Sequence, residues 1–124
     1  MRPFRTFAMT VVMPGLVAGL VACGNGSDTK SGADLPAVII DIRESGGHIT
    51  PDDGHVVNVA VGQKVQLNVS SDAADEIHVH SVPEHEFEAP AGADKTFSLT
   101  LDTPGTVIVE SHGLDVVLVK LQVS

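Results

Sequence analysis

The stretch Val65-Gln66-Leu67-Asn68-Val69 alternates apolar and polar side chains without a break. Because successive side chains of a β-strand point to opposite faces, this alternation places three apolar side chains on one face and two polar ones on the other. The same period of two recurs in four other segments, namely Val38-Ile40-Ile42, Val57-Val59-Val61, Phe97-Leu99-Leu101 and Val117-Val119-Leu121-Val123. Each segment is therefore predicted to be a strand with one buried face.

Turn-forming residues separate these segments at short intervals. They cluster at Ser45-Gly46-Gly47, Pro51-Asp52-Asp53-Gly54, Gly62-Gln63, Ser70-Ser71-Asp72, Ala89-Pro90-Ala91-Gly92 and Thr103-Pro104-Gly105. No window shows the period of about 3.6 residues that is typical of an amphipathic helix. The pattern predicts an all-β fold, a small antiparallel Greek-key sandwich or barrel formed by residues 36–124 as one domain.

The first 22 residues have the organisation of a secretory signal peptide. Basic Arg2 and Arg5 precede an apolar stretch from Phe7 to Val21, and small Ala22 ends the segment. A basic start, an apolar centre and a small-residue cleavage site define such signals, so residues 1–22 are predicted to be removed.

The segment Leu20-Val21-Ala22-Cys23 resembles the lipobox of bacterial lipoproteins, in which the cysteine thiol carries a diacylglyceryl group and cleavage occurs just before it. This resemblance implies lipidation of Cys23 and an extracytoplasmic protein anchored to the cell membrane by lipid. Residues 23–35 follow as a predicted flexible tether, since Gly24 to Asp34 has no apolar residue larger than alanine.

Two alternatives for the N-terminal segment are an ordinary secretory signal with an unrelated cysteine and a short membrane-spanning helix. The helix is disfavoured because the apolar run is shorter than the ~18 residues that a span requires, and Pro14 and Gly15 interrupt it. The lipobox is favoured over a plain signal because Cys23 is the one cysteine of the sequence.

The chain is acidic. Its formal net charge is −9, and loss of Arg2 and Arg5 with the signal lowers this to −11. Such a charge repels nucleic acids and anionic lipid headgroups, so no nucleic-acid partner is expected and the membrane is contacted through the lipid anchor only. The charge favours cations, although solubility alone also explains it.

Four segments occur in the order and spacing of another known family. They are Val59-Ala60-Val61-Gly62-Gln63-Lys64-Val65, Asp75-Glu76-Ile77-His78-Val79-His80, Ala89-Pro90-Ala91-Gly92 and Asp102-Thr103-Pro104-Gly105-Thr106. Together they resemble a cupredoxin domain, most closely the short cupredoxin-like lipoproteins of actinobacteria, over Val38 to Val123. The resemblance implies a cupredoxin-like fold in which the strand after Pro104-Gly105 leads to a metal site.

The sequence departs from blue copper proteins at the ligand that defines them. In that family the strand led by Pro-Gly ends in a cysteine, with a histidine and usually a methionine in the loop that follows. The cysteine position falls here on Ser111, and His112-Gly113-Leu114-Asp115 follows without a methionine. Type 1 copper requires the thiolate, so no type 1 copper is expected.

Glu76, His78 and His80 share one face of their predicted strand, at positions i, i+2 and i+4. Neighbours on that face lie about 6.5–7 Å apart at Cα, within reach of one cation. Two imidazoles and a carboxylate suit Cu(II), Zn(II) or Ni(II). The alternative is an ordinary half-exposed strand whose Glu/His face meets water.

The cupredoxin resemblance implies a third ligand, because it places His112 beside the end of the strand that carries His78 and His80. The acidic segment Glu84-His85-Glu86-Phe87-Glu88 is expected near the same rim, and it makes His85 an optional outer ligand. Solvation of an acidic loop is the simpler interpretation of that segment. His48 and His55 are interpreted as surface turn residues.

Three functional hypotheses follow from these residues. In the first, the tethered domain binds copper or zinc through His78, His80 and His112, with Glu76 or His85 optional, and captures or buffers metal at the cell envelope. In the second, a structural or interaction module binds an envelope protein without any metal. The third, an electron carrier or copper oxidase, is disfavoured by the missing thiolate.

Catalytic motifs are not visible in the sequence. It has no Ser/His/Asp arrangement around a nucleophile elbow and no glycine-rich phosphate loop. The chain is therefore predicted not to be an enzyme.

Overall fold

A computed structural model describes residues 30–124, so the predicted signal peptide, Cys23 and the first part of the predicted tether lie outside the described residues. The elements in this part are a 3-10 helix at Gly32–Asp34 and the strands β1 (Val38–Ser45), β2 (His48–Thr50), β3 (His55–Val59), β4 (Lys64–Ser71), β5 (Asp75–Val79), β6 (His85–Ala89), β7 (Asp94–Thr100), β8 (Gly105–Ser111) and β9 (Val116–Val123). Residues 30–124 contain no helix long and apolar enough to cross a bilayer.

The strands form two sheets. One has four strands in the order β2-β1-β4-β7, and the other has five in the order β3-β9-β8-β5-β6. The prediction of an all-β sandwich is confirmed, but each sheet contains one parallel pair, β1 with β4 and β3 with β9. Apolar alternation indicates which face of a strand is buried. It does not indicate whether the neighbouring strand is parallel, which for β1 and β4 depends on the chain crossing to the other sheet after β2 and back after β3.

The core lies between the sheets, and the alternating stretch in β4 is at its centre. Val65, Leu67 and Val69 are at most 2% exposed. The polar residues between them lie on the opposite face, where Gln66 donates a hydrogen bond to Asn68. Burial of each such aliphatic side chain contributes roughly 1.5–3 kcal/mol, so this alternation determines the orientation of β4 in its sheet.

The packed part of the chain extends back to the 3-10 helix, a few residues before the predicted domain boundary. Gly32 is buried, and a Cβ atom at this position would overlap the carbonyl oxygen of Val61. Gln63 secures the following residues by donating a side-chain hydrogen bond to the carbonyl of Pro36. Only a glycine allows this close approach of the two backbone segments.

Candidate metal centre

Strand β5 presents Glu76 and His78 on the outer face of the five-stranded sheet, and His80 follows the last residue of the strand. Its burial alternates, with Asp75, Ile77 and Val79 buried and Glu76 and His78 on the other face, as the sequence predicts. The strand is paired on both sides, with β6 and with β8. The position of His78 is therefore defined from two directions.

His112 follows the last residue of β8 and lies next to β5. Its backbone N–H donates to the carbonyl of Glu76, at 3.0 Å. Its Nε2 lies 3.3 Å from Nδ1 of His78, and the two rings meet edge to face with centroids 5.1 Å apart. The structure thus brings together two histidines that are 34 residues apart in the sequence.

His80 is also a neighbour of His78. The centroids of the two rings are 4.2 Å apart. Nε2 of His80 is 2.8 Å from a carboxylate oxygen of Glu110, which leaves Nδ1 as the nitrogen outside this contact. His78 is thus the central member of the three histidines.

Glu84 completes a group that can hold an ion. One ligand atom each from His78, His80 and Glu84 lies within 4.8 Å of the other two. Glu84 lies just before β6, and although the acidic segment is visible in the sequence, nothing in its pattern distinguishes Glu84 from Glu86 and Glu88. The turn that brings it back is closed by Ser81, whose hydroxyl donates to the carbonyl of Pro83 at 2.6 Å.

His85, predicted as an optional outer ligand, is not placed with this group. It pairs with Val79, a core-facing residue, so it occupies the face of the sheet opposite to that of His78. Its ring stacks on Phe87 at 5.9 Å. The period of two from His85 through Phe87 to Ala89 is the signal that indicates this face.

Glu76, the other optional ligand, contacts His112. Its carboxylate lies 2.9 Å from Nδ1 of His112, on the side of that ring away from His78. His48 and His55 lie on exposed positions of β2 and β3, and neither belongs to the metal-ligand group found among residues 30–124.

Nε2 of His78 is the unusual atom of the site. It is buried and has no hydrogen-bond partner, and the side chain of His78 is 14% exposed. The nearest carboxylate oxygen, from Glu84, is 3.6 Å away. Because a buried polar atom without a partner costs roughly 1–3 kcal/mol, the arrangement fits an ion between these groups.

A buried acidic pair lies beneath the loop that carries His112. Burial raises the pKa of Glu44 to about 7, a hydrogen bond from Ser71 opposes the shift, and the nearby charges of Asp75 and Asp72 add to it. Oε1 of Glu44 and Oδ2 of Asp75 are both buried without a hydrogen-bond partner. The other oxygen of Asp75 accepts the backbone N–H groups of Glu76 and Gly113.

Ser111, at the position where the resemblance implies a cysteine ligand in blue copper proteins, is 1% exposed. Its hydroxyl accepts a hydrogen bond from the backbone N–H of Leu114, at 2.9 Å. The side chain therefore closes the turn after β8.

No protein-family model and no curated protein sequence matches the chain. Solved structures match it in fold. Fet3p, a multicopper oxidase that functions in iron import, superposes with a TM-score of 0.58 at 14% identity, over 72% of this chain and 23% of that one. The copper nitrite reductase of Nitrosomonas europaea gives 0.54 at 16% identity, over 72% and 42%.

The chain thus spans less than half the length of these two proteins. A methionine-to-alanine variant of amicyanin in its Cu(I) form is nearer in size, with a TM-score of 0.50 at 18% identity over 77% of this chain and 90% of that one. At such identities the likeness is one of fold, and the chain has the cupredoxin-like fold that its sequence motifs imply.

Proposed function

We propose that this protein binds copper or zinc through His78, His80 and Glu84 on the outer face of the five-stranded sheet. The observation that carries the proposal is the buried Nε2 of His78, which has no hydrogen-bond partner and lies 3.6 Å from a carboxylate oxygen of Glu84, in a group that also includes His80. A divalent ion at this point supplies the missing partner and neutralises the carboxylate.

The donor geometry requires only a small closure around the ion. Two ligands of a tetrahedral zinc ion with bonds of ~2.0–2.1 Å lie about 3.3 Å apart, against the present limit of 4.8 Å between donor atoms. The side chain of Glu84 is 64% exposed, so it is free to move inward. Three protein ligands leave a fourth position for water or for a ligand of a partner.

The proteins with a similar fold support copper as the bound ion. They include a multicopper oxidase, a copper nitrite reductase and a Cu(I) amicyanin. Imidazole and carboxylate ligands suit Cu(II) and Zn(II) equally in type. The proposal does not include a type 1 centre, because the group has no thiolate and Ser111 binds Leu114.

The cellular role follows from the N-terminal sequence. A signal peptide over residues 1–22 and a lipid on Cys23 would hold the domain on the outer side of the cell membrane. We place the protein there as a binding protein, not an enzyme, that captures or buffers metal at the envelope. A partner envelope protein that receives the metal is compatible with the open coordination position.

Isothermal calorimetry of the full chain with Cu(II) and with Zn(II) tests the proposal. We expect one tight site that is lost in the double variant His78→Ala, His80→Ala and weakened about 10-fold or more in Glu84→Gln. The matched control is His48→Ala, His55→Ala, which removes two histidines at exposed positions outside the group. Absence of tight binding to the wild-type chain would contradict the proposal and favour a metal-free interaction module.

A further inference from the structure

Three side chains form a continuous line of contacts from solvent to the candidate metal position. The carboxylate of Glu76 lies 2.9 Å from Nδ1 of His112, and Nε2 of His112 lies 3.3 Å from Nδ1 of His78. Nε2 of His78 then faces Glu84 and the candidate ion position. Three of the four ring nitrogens thereby have a polar neighbour within 3.3 Å, and Nε2 of His78 remains without a hydrogen-bond partner.

The hydrogen-bond directions along this line follow from the chemistry of its first member. An ionised carboxylate repels a ring lone pair 2.9 Å away, so Nδ1 of His112, which faces Glu76, carries the hydrogen of the neutral ring. In the neutral ring, Nε2 of His112 is then an acceptor, and the hydrogen between the two rings belongs to Nδ1 of His78. Nε2 of His78 is left with a free lone pair, which is the form that binds a metal.

The backbone holds His112 in this position from both sides. Its own N–H donates to the carbonyl of Glu76, and the next N–H, of Gly113, donates to the buried carboxylate of Asp75. The same oxygen of Asp75 accepts the N–H of Glu76, so it joins the loop after β8 to the start of β5. The backbone of His112 cannot move away from β5 without breaking these bonds.

We infer that His112, supported by Glu76, is a positioning residue that fixes the tautomer of His78 and directs its Nε2 to the metal. The inference rests on the proposed function and changes the role of His112, which the sequence predicts to be a ligand. Nε2 of His112 faces Nδ1 of His78, on the opposite side of that ring from Glu84. Groups that orient a metal-binding histidine in this way contribute about 10- to 100-fold to affinity.

Nitrogen-15 NMR of the histidine rings tests the tautomer in the metal-free full chain. We expect His78 in the form that carries hydrogen on Nδ1, and a mixture of the two tautomers in His112→Phe, which cannot accept a hydrogen bond. In His112→Gln the side-chain carbonyl can still accept, so the wild-type signature should return. A wild-type His78 with hydrogen on Nε2 would overturn the inference.

Metal affinity and ligand count separate positioning from direct coordination. We expect Cu(II) to bind about 10- to 100-fold more weakly to His112→Phe, with the number of coordinated nitrogens at saturation, from electron paramagnetic resonance, unchanged from wild type. The control is His55→Phe, with wild-type affinity. Loss of one coordinated nitrogen would show that His112 is a ligand, and unchanged affinity would show that it does nothing for the site; either result overturns the inference.

The experiments distinguish a failure of the proposed metal binding from a failure of the proposed positioning role of His112. If the wild-type chain binds no metal, the proposed function fails, while the tautomer of His78 in the metal-free protein still reports on the role of His112. If metal binds tightly but His112→Phe leaves both the tautomer and the affinity unchanged, only the positioning role is rejected.

Discussion

Glu44 is the buried carboxyl group whose ionisation is most perturbed among the described residues. It is 3% exposed, and Asp72 and Asp75 add negative charge around it. Desolvation and like charges both favour the protonated form, which raises its pKa from 4.5 to about 7. The folded protein therefore keeps a proton on Glu44 at pH values at which the unfolded chain has lost it.

The stability of the protein is predicted to fall as the pH rises between about 4.5 and 7. In this window the folded state binds one proton more than the unfolded state, so its advantage is complete below pH 4.5 and is lost as the pH rises through the folded pKa. Urea unfolding at pH 5 and at pH 8 should show that wild type loses about 2–3 kcal/mol more than Glu44→Gln over this interval.

Glutamine is the appropriate replacement because it resembles the neutral carboxyl group in shape. Asp41→Asn, at an exposed carboxylate of the same strand, serves as the control and should keep the wild-type pH dependence. Equal pH slopes for wild type and Glu44→Gln would contradict the assignment of the effect to Glu44.

At the scale of the elements, the turn between β8 and β9 is the part that connects the buried acidic pair to the histidines. Gly113 lies in this turn, and a Cβ atom there would be 2.7 Å from Oδ1 of Asp75. No other residue type fits without moving the turn or the carboxylate. Since His112 precedes Gly113, we expect a movement of the turn to displace the His112 ring from His78.

Gly113→Ala is therefore predicted to destabilise the protein by about 1–2 kcal/mol and to weaken metal binding as well. Asp75→Ala removes the same contact from its other side, so the effects of the two substitutions should be less than additive in the double variant. Chemical unfolding and calorimetry measure the two effects separately.

Gly92→Ala provides the control for this experiment. Gly92 has a positive φ of 71° and open space around its Cβ position, so alanine there costs stability through backbone strain alone. Its metal affinity should equal that of wild type. If Gly113→Ala also binds metal with wild-type affinity, the turn does not control the site.

At the scale of the whole molecule, the metal is expected to link the end of β5 to the residue just before β6. The candidate ligands lie at the C-terminal end of β5 and just before β6, and both strands pack on the core through their opposite faces. An ion held between them binds the folded state only. Its binding free energy is therefore added to that of folding.

Zinc at about 100 times its dissociation constant is predicted to stabilise the protein by about 2.7 kcal/mol. For a domain of this size the melting temperature should rise by roughly 10 °C or more, and a chelator should reverse the rise. Thermal unfolding followed by circular dichroism measures it. The same rise in the variant His78→Ala, His80→Ala would show that zinc acts elsewhere on the acidic surface.

Local patterns were sufficient for most of the strands and for the faces of their residues, but not for β2, or for β6, whose acidic segment is interpreted from the sequence as a solvated loop. The alternation around Leu67 predicted its burial, and the spacing of Glu76 and His78 predicted their common face, because side-chain direction in a strand depends only on position along it. His85 lies on the core side and not at the rim, because the same period continues from it through Phe87 to buried Ala89.

Contacts between separate elements could be identified only from the tertiary structure. The parallel pairing of β1 with β4, the approach of Glu84 to His78, and the burial of Glu44 beside Asp75 each join residues from separate elements. No local pattern encodes them, because each depends on how loops close and how the sheets are stacked. The sequence thus specified a sandwich with histidines on one outer face, and packing of the strands decided which of those histidines meet, and through which nitrogen.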